Sequence, residues 1–186
     1  MKTLYFITSN KGKVAEATEK LRPLGYKVVQ KDLGYPEVQA DSLEEVAIQG
    51  IAHVQSRFDH PFILEDAGLF IDALQGFPGV YSKYVFFTIG LPGILRLLEE
   101  IKNRGAVFRS VYAYGEPGNK PVMVTGECNG TITSECRGKQ GFGYDPLFIP
   151  QGALKTFGEM TIEHKNNYSH RAKALEKLIT KLIAKE

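Results

Sequence analysis

The sequence predicts an α/β fold, and three observations carry the prediction. Leu4-Tyr5-Phe6-Ile7 is a short, fully apolar run, as in a strand covered on both faces. Val14, Ala15, Ala17, Thr18 and Leu21 then recur at helical spacing, and residues 26–30 give a second strand, so the chain opens strand–helix–strand. The middle of the chain alternates apolar and polar residues in the manner of an antiparallel meander.

The elements follow in order. Pro23 and Gly25 end the first helix. Ser42 is a candidate N-cap with Glu45 three residues on, so a helix is expected over 43–57 with Val46, Ala47, Gly50, Ile51 and Val54 on one face. Pro61-Phe62-Ile63-Leu64 reads as a buried strand ending in two acids, Glu65-Asp66. The Gly and Pro content of residues 74–84 marks a shaped loop. An amphipathic helix is expected over 92–102, then strands over 106–114 and 122–128. Asn129-Gly130 is a two-residue hairpin signal leading into Thr131-Ile132-Thr133. The chain closes on a helix over 169–184, with Leu175, Leu178, Ile179, Leu182 and Ile183 as its buried stripe.

With 186 residues the chain fits one domain or two tightly fused lobes. The 43% apolar and 24% charged residues exclude disorder and coiled coil as the main state. No run of about 18 apolar residues is present, so no membrane partner is expected. The balance of 23 Lys+Arg against 21 Asp+Glu, a net of +2, lacks the concentrated basic surface of a nucleic-acid binder, and no nucleic-acid partner is expected. It leaves room for local sites that take a small anion. Cys128 and Cys136 match neither a disulfide framework nor a zinc pattern and read as two thiols. The apolar run after Met1 is too short for a signal sequence, so the cytoplasm is the expected compartment.

Four stretches could carry chemistry. Thr8-Ser9-Asn10-Lys11-Gly12-Lys13 lies between a strand and a helix, where free backbone N–H groups and two lysines suit phosphate. It lacks P-loop spacing, and taken alone it reads as a plain N-cap with solvated lysines. Glu37 and Glu65-Asp66 offer hard oxygen ligands suited to Mg²⁺. Glu37 alone reads equally as a surface loop acid. Gly141-Phe142-Gly143-Tyr144-Asp145 sets an aromatic face between glycines, suited to a flat ligand such as a base or else to a turn with core aromatics. Lys165 and Ser169-His170-Arg171 add cations near the last helix. Together they describe one nucleotide site: cations for phosphates, carboxylates for a metal, an aromatic for a base.

These residues resemble one family, the inosine triphosphate pyrophosphatases, also called Ham1-like. The resemblance is carried by Thr8-Ser9-Asn10 with Lys13 and Glu16, by Glu65-Asp66-Ala67-Gly68-Leu69, and by Phe77-Pro78-Gly79-Val80-Tyr81-Ser82. Phe142-Gly143-Tyr144-Asp145-Pro146-Leu147-Phe148 and Lys165-Asn166 with Ser169-His170-Arg171 complete it, so it spans nearly the whole chain. Two positions depart: Ser9 stands where Gly is common, and Ala67 where Ser or Thr is common, so a contact at Ala67 must use its backbone.

The resemblance implies a single Ham1-like domain over 1–186: a long mixed central sheet flanked by helices, in two lobes with an active-site cleft between them. It implies a homodimeric enzyme that hydrolyses ITP, dITP and XTP to the monophosphate and pyrophosphate. Mg²⁺ is the implied metal, with Mn²⁺ as an alternative. Asp66 would be the catalytic base, and Glu37 and Asp66 the metal ligands. Thr8, Ser9, Asn10, Lys11, Gly12 and Lys13 would hold the triphosphate, with Ala67 beside them. Phe142, Gly143, Tyr144, Asp145, Lys165, His170 and Arg171 would enclose the base and its neighbouring phosphates. Two rival readings remain at this point: a pyrophosphatase for other modified nucleotides, and a nucleotide sensor without turnover.

Overall fold

β1 (Lys2–Ile7) and α1 (Lys11–Leu21) form as the apolar pattern requires, with β2 (Tyr26–Lys31) following a single turn of 3₁₀ helix. The computed structural model describes residues 1–35 and 38–184. Asn10 caps α1 by accepting from the Lys13 backbone N–H at 3.1 Å. Gly25, at φ 83°, closes the 3₁₀ turn in a left-handed conformation open to glycine. α2 (Leu43–Gln55) is capped by Ser42, whose hydroxyl accepts from the Glu45 N–H. The Glu45 carboxylate reaches past the cap to the Asp41 N–H, so the expected box is only half formed.

β3 (Phe62–Ile71) is followed by β4 (Pro78–Gly79), α3 (Ser82–Thr88) and α4 (Gly90–Leu97). Then come β5 (Gly105–Gly115), β6 (Val122–Ile132), β7 (Phe148–Pro150), α5 (Ile162–Asn166) and α6 (His170–Ile183). Among the described residues the strands make a seven-stranded sheet ordered β2-β1-β3-β5-β6-β7, with β4 paired to β3. It is mixed: β1 runs parallel to β2 and β3, whereas β3–β4 and β6–β7 are antiparallel. The expected α/β class is therefore what the chain adopts.

Three local expectations are corrected. β3 does not end at the two acids but runs through them to Ile71, because its second half pairs with β4 at Leu69↔Gly79. Asn129-Gly130 is not a turn; both residues lie inside β6, and Gly130 pairs with Pro150. A Cβ at Gly130 would sit 2.3 Å from the Ile149 carbonyl and 2.5 Å from the Phe148 ring, so this glycine permits close strand approach. The helix expected over 92–102 ends at Leu97, where Leu98 N–H bonds back to both Ile94 and Leu95 and Glu100 turns to φ 62°.

The chain separates into two compact units. The first comprises Met1–Asp66, Ser110–Gly126 and the residues from Arg171 onward. Its core packs Phe6, Leu21, Ile63, Tyr112, Leu175 and Leu178. The second comprises Ala67–Arg109 and Glu127–His170, with Ile71, Ile94, Phe108, Leu147, Phe148 and Phe157 in its core. The chain passes from one unit to the other between Asp66 and Ala67, and again between His170 and Arg171. No described helix is long and apolar enough to cross a membrane.

Within the second unit, Gly68 faces Gly79 so closely that an added Cβ would lie 2.3 Å from the Gly79 carbonyl oxygen. Gly68→Ala is therefore expected to destabilise the fold by about 1–3 kcal/mol, as overpacking does. Urea unfolding checks this, and an unchanged midpoint would contradict it.

Candidate active site

Alternation along β3 sends its two acids to opposite faces. Glu65 is 1% exposed, whereas Asp66 is half-buried. The sequence joins them as a pair, but the strand gives them different environments.

Glu65 is the centre of a buried charge cluster in the first unit. Its Oε2 lies 2.7 Å from the Lys13 ammonium, which also donates to the Glu65 backbone carbonyl at 3.0 Å. Its Oε1 accepts from the Ser110 hydroxyl at 2.7 Å and from Arg171 Nε at 3.1 Å. Arg171 Nη1 reaches Glu16 Oε2 at 3.3 Å. Glu16 stands three residues after Lys13, so one face of α1 supplies both an acid and a base. Burial pushes the Glu65 carboxyl up, but the Lys13 and Arg171 charges and the Lys13 and Ser110 hydrogen bonds outweigh it and hold the group below its ordinary value. Both Glu65 oxygens are thereby engaged, Oε2 by the Lys13 ammonium and Oε1 by the Ser110 hydroxyl and Arg171.

The loop before α1 is short and self-supporting. Asn10 N–H donates to Thr8 Oγ1 at 3.1 Å, and Gln30 Nε2 donates to the Thr8 carbonyl at 2.9 Å. Thr8, Gly12 and Lys13 are half-buried and Ser9 and Lys11 exposed.

The second unit holds the aromatic group of residues. Asp145 Oδ2 accepts from the Phe142 N–H at 2.8 Å and from the Lys165 ammonium at 2.6 Å, and both charged side chains are almost wholly buried. A Cβ at Gly141 would lie 2.0 Å from that same Oδ2, and Gly141 has φ 74°, so glycine is required there. The Lys165 ammonium sits 5.1 Å from the centroids of both the Phe142 and Phe157 rings. His170 is fully buried and stacks on Phe108, with ring centroids 4.6 Å apart and planes 8° from parallel. Tyr144 donates its hydroxyl to the Ser82 carbonyl at 2.8 Å, and burial pushes that phenol's pKa up. Ser82 Oγ accepts from the Leu69 N–H at 2.8 Å and donates to the Gly79 carbonyl at 2.7 Å. One serine thus ties together the stretches that begin at Ala67, Phe77 and Phe142.

The expected site residues therefore fall into two groups. Thr8, Asn10, Lys13, Asp66 and Arg171 belong to the first unit, and Ala67, Phe142, Gly143, Tyr144, Asp145, Lys165 and His170 to the second. Glu37, the other expected metal ligand, lies outside the described residues. No group of three His, Cys, Asp or Glu that could hold a metal occurs among the described residues. A single half-buried carboxylate fits Mg²⁺ nonetheless, because that ion commonly takes one or two carboxylates and fills its shell with waters and phosphate oxygens.

Sequence reasoning missed Ser82, Ser110, Phe108 and Phe157. Ser110 left a signal: a small polar residue two places before Tyr112 on a strand, hence on the same face as a large core ring. Ser82 left none beyond its place in the quoted stretch.

Comparison with known proteins bears on the whole chain. The dITP/XTP pyrophosphatase of Thermococcus kodakarensis is 54% identical over 172 residues, 92% of each chain. The dITP/XTP pyrophosphatase of Methanopyrus kandleri is 54% identical over 177 residues, 95% of this chain and 94% of its own. The solved structure of a HAM1 protein from Coxiella burnetii covers 99% of this chain and 100% of its own, with a TM-score of 0.84 and 33% identity. The model of the Ham1 family matches residues 4–181, and the chain belongs to that family.

Proposed function

We propose that the chain hydrolyses non-canonical purine nucleoside triphosphates, ITP, dITP and XTP, to the monophosphate and pyrophosphate. The observation that carries the reading is the buried Glu16–Arg171–Glu65–Lys13 cluster, directly followed along β3 by a half-buried carboxylate at Asp66. Relatives named dITP/XTP pyrophosphatases, at 54% identity across nearly the whole chain, support it.

In this reading the α1 N-terminus and Lys13 take the triphosphate, and Ala67, the β3 residue after Asp66, offers its backbone groups to the same phosphates. Asp66 orients the attacking water and accepts its proton as the oxygen closes on the α-phosphorus. Lys13 offsets the charge that grows on the departing pyrophosphate. Asp66, with Glu37, would hold Mg²⁺ or Mn²⁺, and the ion when bound supplies further neutralisation of the phosphate charge. Phe142, Gly143, Tyr144, Asp145, Lys165 and His170 take the base. Phe142 supplies the stacking face, and the buried Lys165–Asp145 pair, through the Phe142 N–H and the cation over its ring, holds that face in place. Arg171 is already engaged with Glu16 and Glu65, which favours a role in fixing the cluster over one at the base edge.

The assembly proposed is a homodimer, and the exposed rings of Tyr81, Tyr84 and Phe87 suit its contact surface. The compartment proposed is the cytoplasm. The test is a panel of ITP, dITP, XTP, GTP, ATP and UTP with Mg²⁺, with products identified. Pyrophosphate and monophosphate are expected, with ITP and XTP far ahead of ATP and UTP. Release of phosphate and IDP would overturn the reaction class, and equal rates on ATP would overturn the substrate class.

A further inference from the structure

The geometry points to Ser110 as a positioning residue that acts through Glu65 to preset Lys13 for an anionic ligand. The inference rests on the proposed triphosphate role of Lys13. Glu65 has two oxygens and three partners. Ser110 and Arg171 both occupy Oε1, at 2.7 and 3.1 Å, and this leaves Oε2 turned to the Lys13 ammonium at 2.7 Å.

Ser110 is fully buried and its hydroxyl is given to this carboxylate. Without that hydroxyl the carboxylate can rotate to share both oxygens with the forked guanidinium, a geometry arginine favours. Oε2 then turns from Lys13, whose ammonium keeps only the backbone carbonyl of Glu65 from this set. A lysine held less firmly must be ordered when the phosphate arrives, and that ordering weakens binding. The chemistry at Asp66 is untouched, because β3 sends Asp66 to its other face.

The test uses the full chain and inorganic tripolyphosphate as a probe of anion binding, beside ITP kinetics. Ser110→Ala is expected to weaken tripolyphosphate binding and raise KM for ITP by roughly fivefold, from the ordering of one long side chain, with kcat within about twofold of wild type. Ser110→Thr keeps the hydroxyl and is expected to restore both. Ser110→Cys, a near isostere with a weak donor, reads the same split should the alanine variant fail to fold. Tyr112→Phe is the control: it lies on the same strand face, fully buried, and its hydroxyl bonds no described residue, so both constants stay at wild type.

An unchanged KM and tripolyphosphate affinity in Ser110→Ala would overturn the inference. So would a fall in kcat alone, or an equal effect from Tyr112→Phe, which would mark a packing role. Should the wild type bind tripolyphosphate but leave ITP intact, a loss of that binding in Ser110→Ala still supports the positioning role, and the proposed hydrolysis fails instead.

Discussion

Asp66→Asn is expected to lower turnover of ITP by roughly 10²–10⁴-fold, the range supplied by a positioned acid or base. The substitution keeps the shape of the side chain and removes its charge and basicity, so in the proposed mechanism the attacking water loses its proton acceptor. With Mg²⁺ raised to saturate the variant, whose proposed metal ligand is weakened, KM is expected to change little, because Lys13 and the α1 N-terminus stay in place. Thermal stability is expected to change little as well, since Asp66 is half-buried and sits on the opposite face of β3 from the charge cluster. Steady-state kinetics with pyrophosphate detection, beside a melting curve, reads all three. Turnover near wild type would remove Asp66 from the mechanism.

Lys165→Met is expected to produce the largest loss of stability. Lys165 and Asp145 are paired at 2.6 Å with side chains 2% and 3% exposed. The methionine keeps the packing against Phe142 and Phe157 but leaves the Asp145 carboxylate buried without its cation. Breaking one side of a buried pair costs about 3–5 kcal/mol. For a chain of this length that corresponds to a fall in melting temperature of about 6–20 °C. Adding Asp145→Asn removes the unmatched charge and keeps an acceptor for the Phe142 N–H, so the double variant is expected to recover much of the loss. Calorimetry of the two variants checks this, and a melting temperature unchanged in Lys165→Met would show the pair to be energetically idle.

The class of fold was legible because its signals are local. The apolar run of β1, the spacing of α1 and the Ser42 cap each depend on neighbours a few residues away. The failures arose where a distant strand decided the matter. Asn129-Gly130 has turn chemistry, yet the approach of β7 makes Gly130 a strand residue. The acids at 65–66 looked like the end of a strand, yet β4 extends β3 beyond them.

The candidate site can be read from the sequence as a set of residue types but not as a wiring plan. Lys13, Asp66, Asp145, Lys165 and Arg171 could be singled out from their stretches. That Glu65 would take Lys13, Arg171 and Ser110 as partners could not, because Glu65 and Arg171 are separated by 106 residues and meet only through the packing of α6. Ser110 is ordinary in sequence and acquires meaning only from a carboxylate 45 residues earlier.

The alternation of β3 makes spacing harder to alter than composition. Deleting one residue between Phe62 and Leu64 would carry Asp66 to the face where Lys13 and Arg171 wait, and turn Glu65 to the opposite face, at the fully buried Leu64 position. Both acids would survive in the polypeptide, but Asp66 would stand where Glu65 had stood, Glu65 where Leu64 had stood, and Ala67 where the half-buried carboxylate had been. Lineages of this chain should therefore hold the count before the two carboxylates fixed, with insertions and deletions confined to the loops.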